Sequence, residues 1–447
     1  MRVHVARRGL DLPLTGKPEQ VLEDGPTPDR VALLGEDYVG LRPRLFVREG
    51  DRVALGQRVL EDRIGEGIPM VAPAAGTVVA VHRGAKRAFQ SLVIELEGDA
   101  ERSFEAFGPA ADASRDSVRA LLLEAGLWVA FRTRPFSRTP DPTTTPHSIF
   151  VTAIDSHPLA PPPELAIAGR EDDFERGLTV LGKLTDGPVH LCVAEGSAIG
   201  PGESGASLAF FAGKHPAGTV GYHIHCLDPV HREKTVWHLG YQDVLRIGHL
   251  FARGRLDTEQ VVSLAGPLVR SPRVLRTRLG ASTTSLTRDE LLEGEARVIS
   301  GSVLAGKRAM GEPFGYLGRF DRQLTVIAEG RERRFLGWTT PGLRRFSALP
   351  TFLSSFLPKR DHALTSTTNG SRRAMVPIGA YERVMPMDLM ATHLLRAISV
   401  EDPEWAEELG VLELDEEDVS LCTFVCPSKI DFGPALRRTL TAIEKEH

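Results

Sequence analysis

The chain has 447 residues, which exceeds what one compact core usually holds, so its length predicts about three domains. Hydrophobic residues (42%) and charged residues (25%) occur in proportions typical of globular proteins, which excludes a largely disordered chain. The formal net charge of −5 disfavours nucleic acid as a partner, because phosphate contacts need a basic face.

Four cysteines are too few for a disulfide scaffold of this length and indicate a reducing compartment. No charge-free stretch reaches the roughly 18 residues that a membrane-spanning helix needs, and the N-terminus lacks the apolar core of a secretory signal. The longest apolar stretch, 346–357, is short and contains Pro350. We therefore expect membrane contact only at the surface or through a partner.

Residues 30–100 combine short apolar runs with Gly and Pro, which is typical of β-strands joined by tight turns. Their sequence resembles the barrel-sandwich hybrid of lipoyl and biotinyl carrier domains. Gly65 stands where such a carrier has its cofactor-bearing lysine, and no lysine lies between Lys17 and Lys86. We interpret this module as structural, without carrier chemistry.

Residues 106–255 alternate helical and strand-like patterns, which favours a mostly parallel sheet with helices on its faces. The patterns predict two helices, over 114–124 and 172–184. They also predict three strands, over 148–154, 189–194 and 219–227.

Residues 256–330 return to strands around one predicted helix, 287–292, as in a small α+β module. Residues 331–375 are rich in turns and hold nine Arg and Lys against two acidic residues, whereas 401–418 contains ten carboxylates and no Lys or Arg. We interpret both charged stretches as solvated faces, or as one face docking on the other. The alternative is that the basic stretch meets another protein chain or anionic lipid headgroups.

Gly200–Gly205 has the G-x-G-x-x-G spacing of a dinucleotide-binding loop, and Asp228 follows as a candidate ribose ligand. Pro201 stiffens the loop, and Gly213 and Pro216 leave room for only a short helix. Short helices present few aligned N–H groups to a pyrophosphate. The motif supports an alternative function, that of a free-standing soluble oxidoreductase using NAD or flavin.

Two further pairs resemble metal ligands. His223 and His225 would share one face of a strand over 219–227, but two further ligands are not evident nearby, so we favour a packed pair. Cys422 and Cys426 have the C-x₃-C-P spacing that ends a ferredoxin cluster motif, without the two cysteines needed upstream. We interpret them as the remnant of a lost cluster site, with a redox-active thiol pair as the alternative.

Long stretches carry a resemblance to one family. They are RPFS at Arg134–Ser137, PHSIFVTAIDSHPLAP, FFAGKHPAGTVGYHIHCLDPV, VWHLGYQDVLRIGHLF, LAGPLVRSPRVLRTRLGAS, RFLGWTTPGLRRFS and LCTFVCPSKIDFGPALRRTLTAIEKE. Together they resemble the NqrA family, one of the subunits of the sodium-translocating NADH:quinone oxidoreductases, over nearly the whole chain. That family is related to a subunit of the Rnf-type ferredoxin:NAD⁺ ion pumps and to the flavin subunit of respiratory complex I. The missing upstream cysteines count against the Rnf-type alternative.

The resemblance implies a multidomain fold of α/β and β modules. It implies a barrel-sandwich module over 1–105, a Rossmann-like α/β domain over 106–255 and an SLBB-type β-grasp module over 256–330. Residues 331–447 would form a basic linker and a C-terminal helical region with a degenerate ferredoxin-like tail.

The resemblance also implies a function. The chain would be a peripheral subunit on the cytoplasmic face of the bacterial inner membrane, contributing to ubiquinone binding or reduction near the membrane subunit NqrB. It would hold no cofactor and no metal of its own. FAD, FMN, riboflavin and iron–sulfur centres would lie on partner subunits, with ubiquinone as substrate. The isolated chain would not be catalytic, and it would act as part of a translocase.

A quinone site needs an apolar slot and hydrogen-bond donors for two carbonyl oxygens. Arg134 and Ser137 offer donors beside aromatic rings, and His157 follows a predicted strand end, where ligands of α/β proteins often lie. The candidate quinone-binding residues are Phe131, Arg134, Phe136, Ser137 and His157. The alternative is that these residues only stabilise loops or contact another protein chain, because arginine and aromatic residues are enriched at interfaces.

Overall fold

The structure is a computed structural model that describes residues 2–65, 67–108, 110–331 and 339–446. Part of the basic stretch, with Arg333 and Arg334, lies outside the described residues, as does part of the RFLGWTTPGLRRFS segment. Within the described ranges, no helix is long and apolar enough to cross a bilayer.

The first two strands of the chain belong to sheets built mainly by later residues. Strand β1 (Val3–Ala6) pairs in parallel with residues 210–213, and β2 (Glu19–Asp24) pairs in parallel with residues 273–276. The N-terminal segment therefore ties the modules of the chain to one another.

Residues 30–96 form two small antiparallel sheets, as their turn-rich sequence predicts. The strands are β3 (Arg30–Leu34), β4 (Pro43–Leu45), β5 (Arg52–Val53), β6 (Arg58–Asp62), β7 (Ile68–Val71), β8 (Gly76–Arg83) and β9 (Phe89–Leu96). Their order is β3-β9-β8-β5 in one sheet and β4-β6-β7 in the other. Val31, Val59 and Ile94 come from both sheets and share one buried cluster, so the sheets pack face to face.

The α/β domain has a six-stranded sheet in the order β1-β13-β12-β11-β14-β10, in which only β10 is antiparallel to its neighbour. Its strands are β10 (Arg132–Arg134), β11 (Ile149–Ala153), β12 (Val189–Ala194), β13 (Ser207–Gly213) and β14 (Val236–Gly240). Its helices are α1 (Arg115–Glu124), α2 (Glu164–Ile167), α3 (Glu171–Leu181), α4 (Val220–Leu227) and α5 (Tyr241–Arg253). The predicted parallel sheet is confirmed, as are the predicted helices at α1 and α3 and the strands at β11 and β12.

The predicted strand over 219–227 is wrong, since these residues form α4. Val220, Tyr222 and Ile224 are all buried, so the segment lacks the one-sided apolar stripe that marks a surface helix. Gly221 allows a close approach, because a Cβ there would lie 2.2 Å from Oδ1 of Asp418. Packing on both sides therefore overrides the strand-like composition.

The third module is a six-stranded sheet in the order β18-β17-β19-β15-β16-β2. Its own elements are β15 (Glu259–Ala265), β16 (Arg273–Arg278), α6 (Thr283–Thr287), β17 (Ala296–Ser300), β18 (Lys307–Arg308) and β19 (Gln323–Ala328). The helix predicted over 287–292 is misplaced. Ser282 caps α6 by accepting a hydrogen bond from the backbone N–H of Ser285, and Asp289 has a φ of +59°, which ends any helix before 292.

The C-terminal region packs four helices on the α/β domain: α7 (Ala391–Val400), α8 (Pro403–Glu408), α9 (Ser420–Val425) and α10 (Gly433–Lys445). Successive residues of β11 point into different cores. Ile149 and Val151 join the cluster that contains α3 and α5, whereas Phe150 joins the cluster of the C-terminal helices. The sheet is therefore covered on both faces.

The inner carboxylates of the acidic stretch 401–418 are buried against Arg134 and Arg437, which lie outside the basic stretch. These inner residues are therefore neither part of a solvated face nor docked on the basic stretch, because they pack on the α/β domain and on α10.

Candidate functional site

The candidate segment Phe131–Ser137 lies at the antiparallel edge of the α/β sheet. Phe131 is fully buried, with its ring centroid 5.4 Å from that of Trp128 and 5.6 Å from that of Trp237. Phe136 and Ser137 both have positive φ, and the backbone N–H of Ser137 donates to the carbonyl of Thr133, so the chain turns back on itself here. Phe131 is thus a core residue and not part of an open slot.

Arg134 is 1% exposed and faces the C-terminal acidic segment. Its Nη1 donates to Oδ2 of Asp418 at 3.0 Å and to the carbonyl oxygen of Glu413 at 3.0 Å, and Nη2 lies 3.4 Å from Oδ2 of Asp415. A buried guanidinium is costly unless carboxylates pair with it. Arg134 is therefore committed to holding the 413–418 segment against the sheet.

Phe136 and Ser137 complete this contact. The backbone carbonyl of Phe136 accepts a hydrogen bond from Nη1 of Arg437 at 2.7 Å, and the Phe136 ring packs against the C-terminal core. Ser137 is buried, and its Oγ has no hydrogen-bond partner among the described residues. The structure thus brings the RPFS segment together with α10.

His157 follows the carboxyl end of β11, as predicted, and bridges two carboxylates. Its Nδ1 lies 2.8 Å from Oδ1 of Asp155, and its Nε2 lies 3.1 Å from Oε1 of Glu417. Burial alone would lower the pKa of His157, but the two carboxylates outweigh it and raise that pKa to about 10. The imidazole is therefore a cation at neutral pH, with both nitrogens engaged.

The carboxylates respond in the opposite sense. Burial would raise the pKa of Glu417, but the His157 cation holds it at about 2. The pKa of Asp155 is likewise held well below its usual range by His157 and by Arg322, whose Nη1 lies 3.5 Å from Oδ2 of Asp155. The cluster is thus a network of fixed charges that is only partly open to solvent.

A second histidine packs against this network. The ring centroid of His215 lies 4.7 Å from that of His157, and its Nδ1 lies 2.9 Å from Oγ of Ser156. Burial and the adjacent cation lower the pKa of His215 to about 3, so this ring is neutral. Its Nε2 has no partner within the described ranges.

The network fills the place where a ligand of this fold would normally lie. The chain runs from β11 to β12 on one side, while β14 lies on the other side of β11, and open α/β sheets bind ligands at such a switch point. Here Arg322 of the third module lies with its guanidinium 5.1 Å from the centroid of the Tyr241 ring, at the end of β14. Glu417 reaches the same edge from the C-terminal region. The protein's own side chains occupy the crevice.

The glycine motif Gly200–Gly205 links β12 to β13 and leads into a strand, so no helix N-terminus faces it. The loop is fixed to α3, since the N–H of Glu203 donates to Oε1 of Glu175 at 2.9 Å. Asp228, the candidate ribose ligand, is bound by Oγ of Ser148 at 2.6 Å. The motif lacks the setting of a dinucleotide site.

His223 and His225 diverge, because they lie on a helix and not on a strand. Nε2 of His223 lies 2.9 Å from the carbonyl oxygen of Ala217, and Nδ1 of His225 lies 2.8 Å from Oε2 of Glu413. Across the residues that the structure describes, no group of three or more His, Cys, Asp or Glu could hold a metal ion.

Cys422 and Cys426 are both buried as free thiols on and just after α9. Sγ of Cys426 lies 3.1 Å from the hydroxyl of Tyr381, and burial raises the pKa of Cys422 well above its usual range. Metal binding and thiol exchange both need the thiolate form, which this setting disfavours for Cys422.

An apolar cleft that no sequence motif predicted lies where the three modules meet. Its empty volume is about 610 Å³, counting its open mouth. The apolar lining comes from all three modules and includes Leu33, Leu34, Tyr38, Met70, Val129, Leu256 and Leu317. Val129 stands two residues before Phe131, but no residue of the candidate segment itself lines this cleft.

Three charged residues also line the cleft, namely Asp37, Asp257 and Arg319. The backbone N–H of Arg319 donates to Oδ2 of Asp37 at 2.8 Å, and its Nη2 donates to Oδ1 of Asp243 at 2.6 Å. Nη1 of Arg319 has no partner in the described part of the chain. Burial raises the pKa of Asp37 to about 6, against the opposing effect of Lys307. The cleft thus combines apolar walls, an unused N–H donor and a carboxyl group that protonates close to neutral pH.

No local motif could have revealed this cleft, because its residues come from separate stretches: 32–38, 70–73, 125–129, 256–258, 279–280 and 317–319. The only sequence signal is the position of Val129 beside the candidate segment. The packing of the three modules forms the cleft.

Comparison with known proteins supplies three family matches along the chain. Residues 4–97 match the NqrA N-terminal barrel-sandwich hybrid domain. Residues 113–256 match the NqrA second alpha/beta domain, and residues 261–311 match the NQRA C-terminal domain, of the SLBB type.

Full-length relatives agree with these matches. The chain is 52% identical over 444 residues to the NqrA subunit of the Na(+)-translocating NADH-quinone reductase of Cellvibrio japonicus, covering 98% of this chain and 99% of that protein. The corresponding subunit of Yersinia pestis is 51% identical with the same coverage. That of Rhodopirellula baltica is 52% identical over 451 residues, covering 98% of each chain.

Proposed function

Because the chain belongs to the NqrA family of Na(+)-translocating NADH-quinone reductase subunits, we propose that it is a peripheral subunit of a sodium-translocating NADH:ubiquinone reductase. The observation that carries the proposal is the sequence identity of 51–52% to such subunits over nearly the full length of the chain. The chain then lies at the cytoplasmic face of the bacterial inner membrane, docked chiefly on the membrane subunit NqrB. It works as part of a translocase and does not catalyse electron transfer alone.

In this role the chain holds no redox group. The glycine motif leads into a strand, which supports a subunit that binds no flavin or nicotinamide. Cys422 and Cys426 are buried, and Cys422 is held as a thiol, which supports a subunit without an iron–sulfur cluster. FAD, FMN, riboflavin and the iron–sulfur centres lie on partner subunits, and electrons from NADH pass through those groups to ubiquinone.

The cleft between the three modules is the part of this chain best suited to ubiquinone. A quinone ring is flat and apolar at its faces, and its two carbonyl oxygens accept hydrogen bonds. Arg319 has an unused N–H, and Asp37 becomes a donor when its carboxyl group is protonated. Leu33 and Val129 stand among the apolar walls that such a ring would contact.

In this proposal the candidate residues named from the sequence do not contact the quinone. Phe131, Arg134, Phe136 and Ser137 fix the chain that follows the cleft residue Val129, and His157 secures the C-terminal region to the same sheet. They are positioning residues for the quinone site. Unchanged quinone affinity after both Phe136→Ala and His157→Ala would remove the basis for that role.

Affinity capture from the native host tests the proposed function. The tagged chain is captured from membranes solubilised in mild detergent, and the eluate is assayed for NADH:quinone reductase activity with and without Na⁺. We expect membrane subunits to co-purify with a Na⁺-stimulated activity. A lone chain without activity would contradict the proposal, and nucleotide titration would then test the free-standing alternative.

A further inference from the structure

The loop 341–360 presents large apolar side chains to solvent. Phe356 is 81% exposed, Leu353 52% and Leu357 47%, and these three residues lie on or next to one 3₁₀ turn, Leu353–Phe356. Leu343 of the same loop is 52% exposed. Single exposed apolar residues are ordinary, but several within one short loop mark an interaction surface.

The charges of this loop have one sign. Residues 341–360 hold four basic residues and no acidic one. Arg344, Lys359 and Arg360 are exposed and have no ion-pair partner among the residues that the structure describes. Lys359 and Arg360 follow Leu357 directly after a single proline, so cations flank the apolar tip.

The loop is closed on itself. The N–H of Leu353 donates to the carbonyl of Pro341 at 2.9 Å, and the side chain of Arg360 donates to the carbonyl of Leu343. A Cβ on Gly342 would lie 2.3 Å from the ring of Phe352, so the start of the loop packs closely on its middle. A preformed loop loses less conformational freedom on binding than a loose one.

The base of the loop is fixed to the body of the protein. The ring of Phe346 lies 6.2 Å from that of Phe424 and 5.8 Å from that of His362. The backbone N–H of His362 donates to the carbonyl of Pro13 at 2.7 Å. The apolar tip is therefore held outward by contacts at its base.

We propose that this loop is a membrane-surface anchor, with Leu353, Phe356 and Leu357 entering the headgroup region of an anionic bilayer. Apolar side chains flanked by Lys and Arg are typical of interfacial membrane segments. The apolar side chains are buried in the bilayer interface, while the cations contact lipid phosphates. The basic residues beside the apolar tip would be attracted to a uniformly anionic surface. The cytoplasmic leaflet of a membrane is such a surface. The anchor depends on the proposed location beside a membrane, but it concerns the lipid affinity of the chain itself.

Vesicle co-sedimentation of the full chain tests the anchor. We expect binding to vesicles of phosphatidylcholine with phosphatidylglycerol, weaker binding at high salt, and none to phosphatidylcholine alone. Phe356→Asp should weaken binding about tenfold or more, because it removes the most exposed aromatic side chain of the loop. Lys359→Glu with Arg360→Glu should weaken it at least about fivefold for each charge. Phe356→Trp should retain binding.

Two matched controls lie outside the loop. Val400→Asp alters an apolar side chain that is 70% exposed on α7, and Arg48→Glu reverses a cation whose side chain is 89% exposed. Both should bind vesicles as the unaltered chain does. Equal loss in these controls would mean that binding follows net charge or general hydrophobicity and would overturn the anchor.

Two other results would also overturn it. One is equal binding to neutral and anionic vesicles, or unchanged binding by Phe356→Asp. The other is a chain that binds no vesicles but loses the membrane subunits from the affinity eluate when Phe356 is replaced, which would make the loop a protein interface. A chain that binds anionic vesicles without co-purifying membrane subunits would support the anchor while contradicting the proposed function.

Discussion

Nε2 of His157 lies 3.1 Å from Oε1 of Glu417, and this contact joins the carboxyl end of β11 to the C-terminal acidic segment. The same ring binds Asp155 on its other side, so one buried cation stands between two carboxylates. In related sheets a ligand occupies this crevice, whereas here the protein closes it with its own charges. The network therefore secures the C-terminal region to this sheet.

Replacing His157 with Ala should destabilise the chain by about 3 kcal/mol, because it leaves Asp155 and the partly buried Glu417 without their cation. Urea denaturation of the purified chain measures this loss. His147→Ala is the matched control, since His147 also contacts a carboxylate, Asp228, but its side chain is 59% exposed. We expect that control to lose less than about 1 kcal/mol. Equal losses in the two variants would contradict the buried network.

The stability that His157 supplies should depend on pH. Its folded-state pKa is raised from 6.5 to about 10. A group whose pKa is raised by folding contributes its full stabilisation at pH values below its unfolded-state pKa. That stabilisation is lost as the pH rises through its folded-state pKa. The difference in unfolding free energy between the unaltered chain and His157→Ala should therefore shrink between about pH 6.5 and pH 10. Denaturation curves across that range measure it, and a constant difference would show that His157 is not held as a buried cation.

Gly221→Ala should destabilise the chain by about 2 kcal/mol, since the new Cβ would press on Asp418, which Arg134 holds in place. Gly200→Ala is the matched control, because a Cβ at Gly200 meets no atom within 4 Å. It should change the free energy of unfolding by less than about 0.5 kcal/mol. It should also leave NADH oxidation by the complex unchanged. A loss of that activity in Gly200→Ala would revive the dinucleotide-loop alternative.

Much of the architecture could be predicted because local patterns and packing agree. Ser114 caps α1 as its sequence suggests, and β11 and β12 are buried apolar runs flanked by turn residues. The prediction of a strand over 219–227 was wrong, because the helix that forms there is buried. A helix buried on several sides has no polar stripe, so its period is hidden, and β-branched and aromatic residues then imitate a strand.

The candidate site was harder to predict, because the decisive partners are distant in sequence. The segment at Arg134 and the strand end at His157 were located from the sequence, but their contacts with Asp418 and Glu417 arise from tertiary packing. Arginine beside aromatic residues looks the same in a ligand slot and in a buried ion pair. The cleft had no local signal, since Asp37 and Arg319 meet only when the modules assemble.

Asp37 predicts a pH dependence of quinone affinity. With a pKa of about 6, its carboxyl group is protonated below that pH and loses its donor hydrogen above it. In the purified complex, the KM for ubiquinone should rise as pH increases through about 6. Asp37→Asn keeps an N–H donor at every pH, so its KM should be nearly flat over the same range. Parallel curves for the unaltered complex and Asp37→Asn would contradict a role for this carboxyl group.

The most direct test of the cleft as a quinone site is the KM for ubiquinone in a complex that carries Leu256→Phe. Leu256 lines the cleft, and the added volume costs about 1–3 kcal/mol when an apolar site is overfilled, so we expect the KM to rise about tenfold. NADH oxidation with ferricyanide, which bypasses the quinone, should be unchanged. Leu292→Phe, at a surface leucine that is 42% exposed, should alter neither activity. A KM for ubiquinone equal to that of the unaltered complex, in a Leu256→Phe variant that folds and assembles, would contradict the assignment of the cleft.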